Sequence, residues 1–264
     1  MLHFILACFL AVHASDRIQF PASGLIDLDE GTIEVWLQFA FDPQEVHQRY
    51  LWRGSMFYFD YADHLFDRDA ITMNLYTRNL ARNGDPADMR TYIRFGAVFE
   101  GRKVKYPMSP HFPGELKQGS WHHVAVTWSG RDAKVFYDGV LAQHSTHDRA
   151  FSRALNGEAT LYLDWHPALY SAANLIAMDE IRISSIARRA AALGFHSKLS
   201  PDRFTLLLID FEPGPVKDQI APAAGATPVS RLPWKLSKAY RFVEGKHGKG
   251  IALSPNALKL LTER

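Results

Sequence analysis

Two adjacent histidines and two later aspartates are the first residues in this chain whose types could bind a metal or support catalysis. His122 and His123 lie in WHHVAVTW (121–128), ahead of Asp132 and Asp138. The β-branched and aromatic residues predict a strand, in which neighbouring residues lie on opposite faces. The two rings therefore cannot share one metal ion without a bulge. We interpret both histidines as structural residues of a sheet.

Carboxylates are the second candidate group, because retaining glycoside hydrolysis needs two carboxyl groups about 5 Å apart. DLDEGTIE (27–34) contains four acidic residues, but Gly31 interrupts it and the first ones precede the predicted strand, which indicates a solvated turn. The sequence also lacks a serine elbow, a phosphate loop and a His-Glu-x-x-His helix. We assign no catalytic residue. An enzyme with carboxylates from different strands stays open as an alternative, using Glu34, Glu100, Asp164 and Asp179.

The segment 49–70, RYLWRGSMFYFDYADHLFDRDA, has the residue types of a sugar-binding surface. Such a surface combines flat aromatic side chains with polar groups that hold hydroxyls. Aromatic residues that alternate along a strand can equally be core residues, and that interpretation stays open. The candidate ligand-binding residues are Trp52, Tyr58, Tyr61, Asp63 and His64, with Trp165 near the end of a later strand.

Short strands must position these residues, because β-rich segments separated by Gly, Pro, Asp and Asn follow one another from Asp16 onward. Asp138-Gly139 predicts a two-residue type I′ turn, and hence a three-stranded meander. Many short strands predict an all-β sandwich of two antiparallel sheets. The segments are 17–20, 31–39, 50–52, 56–61, 71–77, 91–99, 121–128, 133–139, 159–165, 178–184 and 205–212.

One segment departs from this pattern. SSIARRAAALGF (184–195) predicts a short helix. In the strand before it, alternation places Asp179 and Ile181 on one face and Glu180 and Arg182 on the other.

Composition narrows the classes of function. The 264 residues carry 30 basic and 28 acidic side chains, which argues against a broad surface for nucleic acid or an anionic membrane. Residues 1–14, MLHFILACFLAVHA, predict a signal peptide and a secreted, periplasmic or cell-envelope protein, and are too short for a span of about 20 residues. Cys8, the only cysteine, lies within them, so the mature chain would hold no disulfide.

Three segments together carry a resemblance. GTIEVWLQF (31–39), GSWHHVAVTWSGRDAKVFYDGVLAQ (119–143) and the region LYLDW…NLIAMDEIRISSIARRAAAL (161–193) resemble laminin-G-type, concanavalin A-like domains of secreted bacterial proteins. The resemblance covers about residues 16–193. It implies a two-sheet antiparallel jelly-roll sandwich that often binds glycans. Its enzymatic relatives use a Glu-x-Asp-x-x-Glu pattern, which this sequence lacks.

The resemblance also implies a metal site. Several concanavalin A-like proteins hold a structural Ca²⁺ with an acidic residue at the position of Asp179 and another in the opening strand. Carried over, the metal ligands would be Asp179 with Asp210 or Glu212, and a carbonyl near Gly250. The alternative is that these acidic residues pair with Arg182 or Arg188.

The C-terminal region has an unusual order. In the family, a strand like TLLLIDFE (205–212) and a segment like GKHGKGIAL (245–253) normally precede a strand like RIQF (17–20), whereas here they follow it. We expect residues 15–198 to form the sandwich and residues 199–264 to complete it as a circular permutant, since an unpaired edge would expose apolar surface. The alternative is the start of a second repeat.

The sequence thus favours a secreted, non-catalytic binding module, with carbohydrate as its expected ligand. The first alternative is the glycan-active hydrolase or lyase described above. The second is a structural or adhesion module of an envelope assembly, in which the C-terminal strands act in trans on a partner protein.

Overall fold

Fourteen β-strands account for most of the residues that the computed structural model describes. These residues are 18–21, 29–39, 50–60, 70–79, 89–99, 102–104, 116–146, 160–165, 176–211 and 241–252. The strands are β1 (Ile18–Pro21), β2 (Glu30–Phe39), β3 (Tyr50–Asp60), β4 (Ala70–Asn79), β5 (Met89–Phe99), β6 (Arg102–Val104), β7 (Trp121–Ser129), β8 (Asp132–Tyr137), β9 (Val140–Thr146), β10 (Thr160–Trp165), β11 (Ile176–Ser184), β12 (Thr205–Ile209), β13 (Arg241–Glu244) and β14 (Lys249–Ala252). Among the described residues, no helix is long and apolar enough to span a membrane. The all-β prediction is confirmed.

The strands form two antiparallel sheets. The six-stranded sheet has the order β1-β10-β3-β4-β5-β6, and the eight-stranded sheet has the order β13-β14-β11-β2-β7-β8-β9, with β12 also paired to β11. β3 joins two segments that the sequence separated at Gly54, with register shifts near Leu51 and Met56. Two antiparallel sheets agree with the predicted sandwich.

The main core lies on one face of the eight-stranded sheet, and Ala125, Phe136 and Leu193 form a smaller buried cluster on the other. Ile33, Val35 and Leu37 of β2 are fully buried, and Val35 and Ile33 stand opposite Val124 and Val126 of β7. Position 31, on the same face of β2, requires glycine, because a Cβ there would lie 2.2 Å from the Trp128 ring. Burying each such aliphatic side chain stabilises the fold by about 1.5–3 kcal/mol.

The predicted meander is confirmed as β7-β8-β9. Asp138 and Gly139 join β8 to β9 with φ values of 48° and 77°. Both central residues of a type I′ turn need positive φ, and this turn has them.

Two strands of the C-terminal region lie on the same side of β11. β12 pairs with Ile181–Ser184, and β14 pairs with Ala177 and Met178. Both run antiparallel to β11, so they lie end to end along it. Residues 212–240 between them lie outside the described residues, and the predicted domain boundaries stay a prediction.

The predicted helix at 184–195 is wrong. Ser184 ends β11, and only Ala190–Ala192 forms a short 3-10 turn. The backbone amides of this segment donate to side chains of β2: Ala187 to Glu30, Arg188 to Thr32 and Gly194 to Glu34. These tertiary hydrogen bonds replace the bonds that a helix would form. We call residues 185–204, which join β11 to β12, the strap.

Candidate functional site

The face of the eight-stranded sheet opposite the core carries a buried charged cluster beneath the strap. Glu34 of β2 is fully buried, and Arg182 of β11 donates from Nε to its Oε2 over 2.7 Å. His123 of β7 lies with Nε2 3.4 Å from Glu34 Oε1, and the Gly194 amide donates to the same oxygen over 2.9 Å. Arg182 also donates to the strap carbonyls of Ala192 and Ser200.

These contacts keep Glu34 ionised. Burial alone would raise its pKa, but the His123 contact and the charge of Arg182 outweigh burial and hold the pKa below its usual range. A buried carboxylate that is held in this way cannot reach a polysaccharide from solvent. The geometry therefore gives Glu34 a structural role and removes support from its use as a catalytic group.

A second arginine links the two ends of the strap to each other and to the last residue of β11. Arg188 donates from Nη1 and Nη2 to the two carboxylate oxygens of Asp202 over 2.8 and 2.7 Å, and from Nε to Ser184. A bidentate ion pair of this kind is the strongest geometry for an arginine and a carboxylate. The Arg188 hydrogen bonds hold the pKa of Asp202 well below its usual range.

A β-bulge decides where the acidic pair of β11 lies. Asp179 stands opposite Trp36 and Ile181 opposite Val35, so Glu180 is an extra residue, with φ of 44°. The bulge places Asp179 on the same face as Arg182. The prediction of strict alternation is wrong here, because one inserted residue shifts the period.

The turn at residues 245–248 covers this acidic pair. The His247 amide donates to Asp179 Oδ2 over 3.0 Å, and the Leu199 amide donates to Glu180 Oε2 over 3.2 Å. Burial raises the pKa of Asp179 to about 6 and, together with the charge of Asp179, that of Glu180 to about 7. Asp179 Oδ1 and Glu180 Oε1 are buried without a hydrogen-bond partner in the described part of the chain.

The predicted Ca²⁺ ligands are only partly described. Asp179 lies in the bulge, and Asp210 lies just after β12. The charge of Asp210 contributes to the raised pKa of Glu180. Glu212 lies outside the described residues. Among the described side chains, no three histidine, cysteine or acidic groups converge as a metal site. The Ca²⁺ site stays a prediction.

The two histidines of β7 lie on opposite faces, as the alternation predicts. His122 contacts Asp138 at 2.9 Å, and the His123 amide donates to the same carboxylate over 2.7 Å. The His123 ring packs edge-on against Trp36, with ring centroids 5.2 Å apart. Both side chains thus have the structural role that the sequence predicts.

In the six-stranded sheet, residues that stand opposite one another across neighbouring strands form rows. One set of alternate rows is apolar. Residues directly opposite one another in neighbouring strands share a face. The rows through Ile71, Met73 and Leu75 of β4 contain only apolar residues: Phe20, Leu161, Phe59 and Ala97 beside Ile71, then Ile18, Leu163, Phe57 and Phe95 beside Met73, then Gly54 and Ile93 beside Leu75.

The alternate rows define what we call the polar face. They pass through Thr72, Asn74, Tyr76 and Arg78 of β4. Their other members are Gln19, Tyr162, Tyr58 and Gly96 beside Thr72, Trp165, Ser55 and Arg94 beside Asn74, Arg53 and Tyr92 beside Tyr76, and Tyr50 and Arg90 beside Arg78.

The predicted ligand-binding residues divide between these faces. Tyr58 is on the polar face, whereas Trp52 stands opposite Thr77, on the other face, because of the register shift near Met56. Trp165 stands opposite Ser55 at the end of β10. Tyr61, Asp63 and His64 lie outside the described residues.

Sequence reasoning missed the remaining members of the polar face, including Tyr76, Tyr92 and Tyr162. The alternation along each strand was a usable signal, since residues 71–76 and 92–97 alternate between apolar and polar types. Which strands are neighbours, and in which register, was not available from the sequence. Only the pairing brings these residues into common rows.

Comparison with known proteins identifies relatives. A family model described as the concanavalin A-like lectin/glucanases superfamily, Laminin_G_3, matches residues 13–193. No curated protein sequence matches the chain.

Solved structures that are similar to this chain come from several organisms. A heptameric SAP-like pentraxin from Limulus polyphemus is 10% identical, with 62% of this chain and 67% of that chain covered and a TM-score of 0.42. A putative carbohydrate binding protein from Bacteroides ovatus is 14% identical, with coverage of 78% and 53% and a TM-score of 0.43. Domains LG4-5 of the mouse laminin alpha1 chain are 16% identical, with coverage of 67% and 41% and a TM-score of 0.42.

Proposed function

Because the chain belongs to the concanavalin A-like lectin/glucanase superfamily, we propose that it is a non-catalytic, extracellular module that binds carbohydrate through the polar face of its six-stranded sheet. The observation that carries the proposal is the division of this sheet into apolar and polar rows. The hydrophobic effect favours burial of the apolar rows, which leaves the polar face for a ligand.

The residue types of the polar face suit a sugar chain. Tyr58 and Tyr162 are directly opposite one another, and Tyr76 and Tyr92 form a second opposed pair two rows away. Tyrosine supplies a flat apolar ring with a hydroxyl at its edge. Polar neighbours such as Thr72 and Asn74 can hold sugar hydroxyls.

The burial of Glu34 and Asp179 favours binding over catalysis. Two of the four carboxylates considered for the enzyme alternative are these buried groups, each engaged with protein donors. A glycoside hydrolase would need an accessible carboxylate pair. Glu100 lies outside the described residues.

Affinity electrophoresis of the full chain through gels that contain neutral or acidic polysaccharides tests the proposal. We expect retardation by at least one polymer, and about tenfold weaker binding for Tyr58→Ala and Tyr162→Ala, since each removes an aromatic contact. Phe242→Ala is the matched control, because this partly exposed aromatic residue lies in the other sheet. If none of the polymers retards the protein, the result would count against carbohydrate binding.

A structural Ca²⁺ ion at Asp179, with Asp210 or Glu212, is part of the proposal. Its support is the pair of buried carboxylate oxygens without a partner in the described chain, because hard oxygen ligands suit Ca²⁺. We expect a higher melting temperature in Ca²⁺ than in chelator for the wild type, and no difference for Asp179→Asn. Equal melting of the wild type in both conditions would contradict the ion site.

A further inference from the structure

We infer that the polar face binds an acidic polysaccharide whose sugar carboxylates are held by arginines, an inference that rests on the proposed carbohydrate-binding function. Among the described residues, the four rows of the polar face contain Arg53, Arg78, Arg90 and Arg94 and no acidic residue. The next row on this face passes through Ala70 and Val98 and contains Asp60 and Lys103. Their opposite charges cancel, so this row adds no net charge. The face is therefore strongly basic, although the chain as a whole has a net charge of only +2.

The pairing of two arginines gives independent support. Arg78 of β4 stands directly opposite Arg90 of β5. Like charges at directly opposed positions destabilise a sheet. An anion held between the two guanidinium groups would turn this unfavourable pair into a binding site.

The spacing of the rows suits a repeating ligand. Rows on one face are two residues apart along a strand, which is about 7 Å. Three consecutive rows each supply arginine: Arg94 in the first, Arg53 in the second, Arg78 with Arg90 in the third. A polymer with repeated charges can occupy them together.

Carboxylated sugars are the class that this combination favours. The planar guanidinium matches a carboxylate through two parallel hydrogen bonds. Tyr76 and Tyr92 belong to the middle of these three rows, together with Arg53, so the rows combine aromatic and basic residues. A uronic acid offers both a ring to stack on tyrosine and a carboxylate for arginine.

The test compares each acidic polymer with its uncharged form. Polygalacturonate and alginate, and the methyl ester of each, are titrated into the full chain by calorimetry at low and moderate salt. We expect at least one acidic polymer to bind about tenfold or more tightly than its ester, with affinity that falls as salt rises. Arg78→Gln and Arg90→Gln should each weaken binding about tenfold, as expected for loss of a charged hydrogen bond.

Two controls separate binding from folding. Arg189→Gln removes the same charge from an exposed position in the strap, and should bind as the wild type does. Arg78→Gln and Arg90→Gln should melt at or above the wild-type temperature, because each relieves the opposed pair. A melting temperature well below the wild-type value would indicate a structural role and overturn the inference.

The other outcomes are distinguishable. Equal affinity for an acid and its ester would overturn the inference and leave the proposed function standing. Binding of dextran sulfate or DNA as tight as that of the polyuronates would identify a general polyanion surface and also overturn it. No binding of any polysaccharide, neutral or acidic, would overturn both.

Discussion

At the scale of single residues, the buried pair of Glu34 and Arg182 organises the covered face of the eight-stranded sheet. Glu34 joins β2 to β7 through His123, to β11 through Arg182 and to the strap through the Gly194 amide. Removing water from charges is costly, and a buried ion pair offsets that cost only when all of its partners are present.

Replacement of Glu34 by glutamine tests this role. Glu34→Gln keeps the shape of the side chain but leaves Arg182 buried without its counter-charge, so the free energy of unfolding should fall by about 3–5 kcal/mol. Urea denaturation measures the change. Asp132→Asn is the control, because Asp132 pairs with His144 and Thr146 at an exposed edge, and its unfolding midpoint should stay at the wild-type value.

The pH dependence of stability should contain a contribution from Asp202. Its pKa is depressed in the folded protein, so its stabilising effect is present above its ordinary value of 3.8 and is lost as the pH falls through that region and below. We expect the melting temperature of the wild type to fall between pH 5 and pH 2 more steeply than that of Asp202→Asn. Parallel slopes for the two proteins would show that the Arg188 contact contributes little.

At the scale of elements, turns and the strap depend on contacts beyond their own sequence. The turn at Gly139 illustrates this, because a Cβ there would lie 2.1 Å from Phe195 of the strap, while one at Gly130 would have open space around it. Both glycines have positive φ. The two positions thus share a backbone requirement and differ in packing.

Alanine at each glycine separates the two effects. Gly130→Ala should lower the free energy of unfolding by about 1–2 kcal/mol, the cost of a left-handed residue with a Cβ. Gly139→Ala should cost clearly more, because Phe195 must also move. Denaturation of the two variants side by side measures the difference, and equal losses would show that Phe195 adapts freely.

At the scale of the whole molecule, the C-terminal strands supply part of the buried surface. Leu207 and Ile209 of β12 are almost fully buried, and Ile251 of β14 is fully buried. β11 pairs with both strands along the edge opposite β2. Removing them would expose this edge and the apolar residues beneath it.

Truncation after Lys198 should therefore abolish cooperative folding. The full chain is expected to melt in one sharp transition as a monomer, and the truncated chain to melt broadly or aggregate. Calorimetry and light scattering measure both. A truncated chain that melts as sharply as the full chain would support a separate C-terminal unit, and oligomers that disappear on truncation would support action in trans.

The sequence determined the class of fold and the local geometry. Strand periodicity, the Asp138-Gly139 turn and the opposite orientation of His122 and His123 depend on a few neighbouring residues, so local steric rules suffice to predict them. Most strands were placed within a few residues of their observed ends.

Tertiary structure decided the remainder, because it depends on which distant segments become neighbours. The segment 184–195 is a strap since side chains of β2 accept its amide hydrogens, and local helix propensity cannot compete with those bonds. The bulge at Glu180 moves Asp179 to the face of Arg182, and the shift near Met56 separates Trp52 from Tyr58. The polar face exists only because strand pairing sets Arg78 opposite Arg90 and Tyr58 opposite Tyr162, and registers between strands follow from the packing of the whole sheet rather than from any one segment.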